Sequence, residues 1–226
     1  MNARHLFAAA VLAGVLGLAS VQAANAQGPI PYPDRGTPNP ETYSFTAASS
    51  GDLIAYFAGS TASFDNQLGV LVNGVAQGGF GLDNHSSSIG QPYNFGHVNA
   101  GDSLIFVLHN LTLGEDAFSD PSLNVSYDNP GETLGHNHVY STFYTGTSSQ
   151  QTFFPGVPAG TYVAFEDLPF PGSDFNYFDE NFVFSNVLTN APPPSSVPEP
   201  GAYALLASLG LTGAALLRRR RVGSRP

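Results

Sequence analysis

Between Glu41 and Val187, every apolar run is cut within a few residues by Gly, Asn, Asp or Ser, and the runs are rich in aromatic and β-branched side chains. Breaks this frequent leave no stretch long enough for an amphipathic helix, whereas short strands joined by tight turns need nothing longer. Strands are expected at 42–47, 53–57, 68–72, 75–80, 103–109, 123–127, 138–144, 161–166 and 181–186. Asn73-Gly74 lies between two of these runs. It predicts a type I′ hairpin turn, which needs positive φ at both central residues. Leu104 to Leu108 is apolar on both faces and predicts a central strand covered on both sides. The expected fold is therefore all-β, a β-sandwich of jelly-roll type over residues 41–190. With no cysteine in the chain, its stability must come from the core and any bound ion, and thiol chemistry is excluded.

Both ends stand apart from this pattern. Arg4 and His5 precede an apolar stretch from Leu6 to Ala19 and then Ala24-Asn25-Ala26. That is the layout of a secretory signal helix over residues 1–26, removed by signal peptidase ahead of Gln27. Residues 27–40 form a Pro-rich arm expected to run over the surface, and residues 191–200 a Pro-rich spacer. Beyond it come Val197, Pro198, Glu199 and Pro200, then 17 uncharged residues from Gly201 to Leu217, then Arg218, Arg219, Arg220 and Arg221. As a helix the uncharged run would extend about 25 Å, the short limit for a single transmembrane helix. The arginines would hold its far end in the cytoplasm by the positive-inside rule, with everything before Pro198 outside.

A Pro-Glu-Pro triplet, a short apolar helix and an arginine cluster resemble the PEP-CTERM sorting signal, a tail also labelled an ice-binding-protein C-terminal domain. The resemblance implies processing by an exosortase-type membrane enzyme. The protein would be exported through the inner membrane, anchored there by its 201–226 tail before processing, and placed at the cell surface or in extracellular matrix after it. The ice-binding label carries no functional weight, because the threonines are scattered rather than in a regular array.

Leaving out both ends changes the charge. Residues 27–196 hold sixteen Asp and Glu against the single Arg35 and no lysine, a net charge of −15. Nucleic acid and anionic lipid are excluded as expected partners, since both require basic footprints; a divalent cation fits.

The densest chemistry runs from Phe165 to Phe184, where five carboxylates fall within 15 residues around Asn176 and a Pro-Gly turn. Like charges so close repel unless a cation sits among them, and calcium takes six to eight oxygen ligands from such loops. Glu166, Asp167, Asp174, Asn176 and Asp179 are the expected calcium ligands. Their spacing is not that of an EF-hand, and the other reading of the same residues is that Asp and Asn cap turns while the aromatics fill the core. The Phe-Glu-Asp-Leu segment, the glycine turn and the Asp/Asn-aromatic-Asp run ending in Phe-Val-Phe resemble the domain of unknown function DUF4114. The match falls at Asp174, Tyr177, Asp179, Val183 and Phe184. The chain departs from that pattern at Asn176, Phe178 and the added Glu180-Asn181, and the resemblance implies no activity.

His136 and His138 have the i, i+2 spacing that puts two imidazoles on one strand face, as a zinc or copper site would use, but no third ligand is apparent. Catalytic motifs are missing: no Gly-x-Ser-x-Gly, no phosphate-binding glycine loop, and only a chance pairing of Glu132 with Glu166 for glycoside chemistry. The expectation is a non-catalytic surface domain with a structural or adhesive role in matrix or biofilm. The alternative is a secreted carbohydrate-binding module whose partner is exopolysaccharide.

Overall fold

A computed structural model describes residues 30–128, 131 and 133–190. Eleven strands follow one another as β1 (Phe45–Ala47), β2 (Gly51–Ser60), β3 (Asn66–Val72), β4 (Val75–Gly81), β5 (Pro92–Val98), β6 (Ser103–Asn110), β7 (Glu115–Phe118), β8 (Val139–Tyr144), β9 (Gly160–Phe165), β10 (Glu180–Ser185) and β11 (Val187–Thr189). They form two antiparallel sheets. The first runs β11-β1-β6-β3-β4, with β7 sharing one edge of β6 with β1; the second runs β5-β2-β10-β9-β8. Only one helical turn, α1 (Ser148–Gln151), and a 3-10 turn (Pro121–Leu123) interrupt the strands among the described residues.

The sheets meet across a single apolar layer. Phe45, Leu68, Phe106 and Leu108 from the first sheet pack with Leu53, Phe57, Phe165, Phe182 and Phe184 from the second. At its centre the rings of Phe106 and Phe184 stack 3.9 Å apart. A second cluster covers the outer face of the β5-β2-β10-β9-β8 sheet, where Ala58, Tyr162, Ala164 and Val183 meet Phe154, Val157 and Tyr177 from loops. Ile30 and Tyr32 of the Pro-rich arm belong to this cluster and are buried, so the arm is pinned to the core there, while residues 33–38 run exposed over the surface as expected. Strands β9 and β10 are consequently buried on both faces along nearly their whole length. In β6, Val107 is buried on the outer face while Ile105 and His109 are half-buried.

The β3-β4 turn forms as expected, with Asn73 at φ 49° and Gly74 at φ 79°. The expected strand at 123–127 does not form. Asp120 accepts from the Ser122 amide at 2.9 Å and Pro121 fixes the first turn position, which commits this segment to a 3-10 turn. Asn124 then bonds Phe118 through its side chain in both directions. Three strands lacked a sequence signal. β5 begins with a proline and contains Gly96, tolerable because β5 is an edge strand. β7 starts with two acids. β11 has three residues, pairing Val187, Leu188 and Thr189 with Ala47, Thr46 and Phe45.

Candidate metal centre

Antiparallel β9 and β10 bring the two ends of the 166–179 loop together. Beyond the last rung, the Glu166 amide donates to the His138 carbonyl at 2.9 Å and the Asp179 amide to the Phe165 carbonyl at 3.0 Å. The Asp167 amide then donates to Asp179 Oδ2 at 3.0 Å. Strand alternation decides the directions. Tyr162 and Ala164 face the outer cluster while Val163 and Phe165 face the inter-sheet core, so Glu166 continues the outer row and Asp167 the inner one. The loop is held down by Tyr177, whose hydroxyl accepts from the Asn39 amide at 2.8 Å and donates to the Asn137 carbonyl at 3.1 Å. Phe175 and Tyr177 sit at φ 53° and 50°, a conformation that costs a bulky residue energy and is kept only where tertiary contacts impose it.

Glu166, Asp167 and Asp179 converge: one carboxylate oxygen from each lies within 4.8 Å of the other two, and all three residues are buried. Two oxygens bound to one calcium at about 2.4 Å can stand no more than about 4.8 Å apart, so the spacing suits a shared ion. Asp167 also ties the sheets together. Its Oδ2 accepts from Nδ2 of Asn66 on β3 at 2.8 Å, and its carbonyl accepts from Asn110 Nδ2 and the Tyr127 hydroxyl.

Electrostatics mark the same place. Burial, and then the neighbouring charge of Asp174, push the Glu166 carboxyl up to about 7. Burial, and then Glu166 and Asp167, push Asp179 up to about 9. Burial raises Asp167 as well. Of the five buried side-chain polar atoms without a hydrogen-bond partner among the described residues, four are acceptor oxygens of Asn66, Glu166 and Glu180, and the fifth is the Thr142 hydroxyl. An unpaired buried acceptor is costly. One such oxygen belongs to the triad itself, on Glu166, and another to Asn66, which is bonded to Asp167. The donor set is all oxygen, the kind that hard divalent cations take.

Asp174 and Asn176 do not join the triad. Asp174 is exposed, and its two oxygens accept from the Asn176 amide and Nδ2 at 3.0 and 2.8 Å. Asn176 Oδ1 accepts from the Phe178 amide, and the Asn176 amide also donates to Glu166 Oε2 at 3.2 Å. These two residues shape the loop by turn capping, the second reading of the sequence. Sequence reasoning missed Asn66, about a hundred residues upstream of the triad, which carried no local signal. It also passed over Glu180, which alternation with Phe182 and Phe184 should have placed on the core face.

The histidine pair does not make a site. His136 and His138 precede β8 rather than lying on it. His136 stacks on Phe170 at 3.7 Å, and His138 is buried with Nε2 on Asp128 at 2.9 Å and Nδ1 on the Glu166 carbonyl at 3.1 Å. Both nitrogens of His138 are thus engaged, and its role is to brace the loop. Glu132, the signal at 1–26, the sorting residues Val197 to Pro200, the 201–217 run and Arg218 to Arg221 lie outside the described residues. Among the described residues no helix is long and apolar enough to cross a membrane.

Comparison with family models, with curated proteins and with solved structures gives no match for this chain. Fold and site alone define the class: an all-β protein of two antiparallel sheets with a buried acidic triad able to hold a metal ion.

Proposed function

We propose that this chain is an exported, surface-sorted, non-catalytic domain, a jelly-roll-type sandwich with a structural or adhesive role in extracellular matrix, and that calcium locks its 166–179 loop. The observation that carries the reading is the convergence of Glu166, Asp167 and Asp179 with an unpartnered buried Glu166 oxygen. A rigid, ion-filled loop suits a domain that works outside the cell, where calcium is abundant and disulfides are not available to this cysteine-free chain. The Pro-Glu-Pro tail supports sorting by an exosortase-type enzyme. At a net charge of −15 over residues 27–196, assembly between copies needs a cation to bridge carboxylates. Light scattering on the exported protein tests this: association that rises with millimolar calcium more than with sodium at matched ionic strength supports matrix assembly, and a monomer under every condition refutes it.

One observation favours carbohydrate binding as the second reading. Phe80 is 45% exposed on the outer face of the first sheet, lies over Gly69, and stacks on His109 at 4.5 Å. His109 in turn contacts Asp116 at 2.6 Å. A flat ring beside polar groups is what a sugar face needs, and a glycan array with calcium present separates the two readings.

A further inference from the structure

On the outer face of the first sheet, neighbouring strands set polar side chains in one row. Leu68, Val70, Phe106 and Leu108 point into the core, so Gln67, Gly69, Val107 and His109 point outward. Register places Gln67 of β3 opposite His109 of β6, and Asp116 of β7 opposite the same histidine on its other side. Side chains at paired positions start about 5 Å apart on one face, close to the width of a single sugar ring.

Phe80 of β4 reaches over this row. A Cβ on Gly69 would stand 2.5 Å from Cε1 of the Phe80 ring, so the ring has its seat only because residue 69 is glycine. One ring face stacks on His109 at 4.5 Å with 19° between the planes, which leaves the opposite face to solvent. Polar atoms border it. His109 Nδ1 faces Asp116 Oδ1 at 2.6 Å, which fixes a proton on Nδ1 and frees Nε2. Nε2, the second oxygen of Asp116 and the whole side-chain amide of Gln67 have no hydrogen-bond partner among the described residues. The electron-rich face of an aromatic ring suits the C–H side of a pyranose, and free donors and acceptors beside it suit the hydroxyls.

Charge limits the class of sugar. Residues 27–196 carry −15 with a single arginine. That residue, Arg35, belongs to the arm laid across the other sheet, where the Gly36 amide donates to the Phe175 carbonyl at 3.3 Å. The row under Phe80 therefore offers a carboxylate, and neither lysine nor arginine, to an approaching acidic sugar. We propose, deepening the carbohydrate reading and resting on it, that this face binds a chain of neutral hexoses and refuses uronate chains. One sugar ring stacks on Phe80, with its hydroxyls on Gln67, His109 Nε2 and Asp116.

Calorimetric titration of the exported protein with soluble glucan, mannan and galactan, and with polygalacturonate, reads both the site and the ligand class. The expected result is binding to at least one neutral chain and none to polygalacturonate. Phe80→Ala should weaken that binding at least tenfold with the circular dichroism spectrum unchanged, while Phe80→Tyr, which keeps a ring of the same size, should retain it. A neutral chain bound equally well by Phe80→Ala places the sugar site elsewhere and overturns the inference, leaving the carbohydrate reading intact. Preference for polygalacturonate overturns the ligand class in the same way. No binding to any of these chains refutes the inference and the carbohydrate reading together.

Discussion

Replacing Asp179 by Asn separates the two jobs its carboxylate does. As a hydrogen-bond acceptor for the Asp167 amide, Asn can take its place through Oδ1; as a charge facing Glu166 and Asp167, it cannot. Because Asp167 is also bonded to Asn66 of the opposite sheet, the triad exists only when both sheets are assembled, and calcium should bind the folded state alone. Stabilisation is then RT ln(1 + [L]/Kd), about 2.7 kcal/mol when free calcium is 100-fold above Kd. For a domain of this size each kcal/mol moves the melting temperature by about 2–4 °C, so calcium should raise it by roughly 5–11 °C over chelator. In Asp179→Asn that rise should vanish, while the melting temperature in chelator should equal or exceed that of the unaltered protein, because an amide spares the folded state the cost of keeping a carboxyl protonated at pH 8. Differential scanning calorimetry at pH 8 with millimolar calcium or with chelator measures all four states. A calcium-independent melting curve for the unaltered protein refutes the metal centre. A variant that keeps the full calcium shift refutes the role of Asp179.

Without calcium, stability should fall as pH rises from about 5 to 9: the Glu166 and Asp179 carboxyls are raised to about 7 and about 9 when folded. The folded state then holds protons that the unfolded chain has released, so each such group contributes stability below its unfolded pKa that is lost through its folded one. Chemical denaturation in chelator across that range checks the sign, and saturating calcium should flatten the slope. Phe106→Ala, which removes the ring stacked on Phe184 between the sheets, should cost about 3–5 kcal/mol by urea denaturation. Gly160→Ala should cost about 3 kcal/mol or more, since its Cβ would meet the Phe184 carbonyl oxygen of the paired strand. Gly69→Ala, whose Cβ meets only the movable ring of exposed Phe80, should cost less than about 1 kcal/mol in the same assay.

What could be read from the chain was whatever local chemistry decides. Asn73-Gly74 announced its turn because few residue pairs tolerate positive φ at both positions. Glu166, Asp167 and Asp179 were legible because both ends of one hairpin loop carry the charge. Asp174 and Asn176 share that composition but spend their oxygens on local donors, Asp174 on Asn176 and Asn176 on the Phe178 amide, which composition alone cannot distinguish from ligation. The contribution of Asn66 depends on the register of β3 against β6 and on which sheet faces which, facts fixed by long-range packing. Likewise residues 27–40 read as a Pro-rich surface arm, yet Tyr32 finds Tyr177 and Tyr140 at ring distances of 4.7 and 5.4 Å.

The pairing of β11 with β1 decides how a pull on the C-terminal side would be felt. Tension entering at Asn190 meets its own bonds to Thr42 and Ser44 first and then opens the three rungs from Thr189–Phe45 onward one after another, as a zip opens, rather than straining them together. Once β11 has peeled away, the next tie in the path is the bond from the Thr161 hydroxyl to the Val187 carbonyl. The acidic loop lies at the far end of β10, about 20 Å along the strand. The edge of the sandwich can thus give way by a few residues and close again, a short mechanical fuse that leaves the acidic end undisturbed.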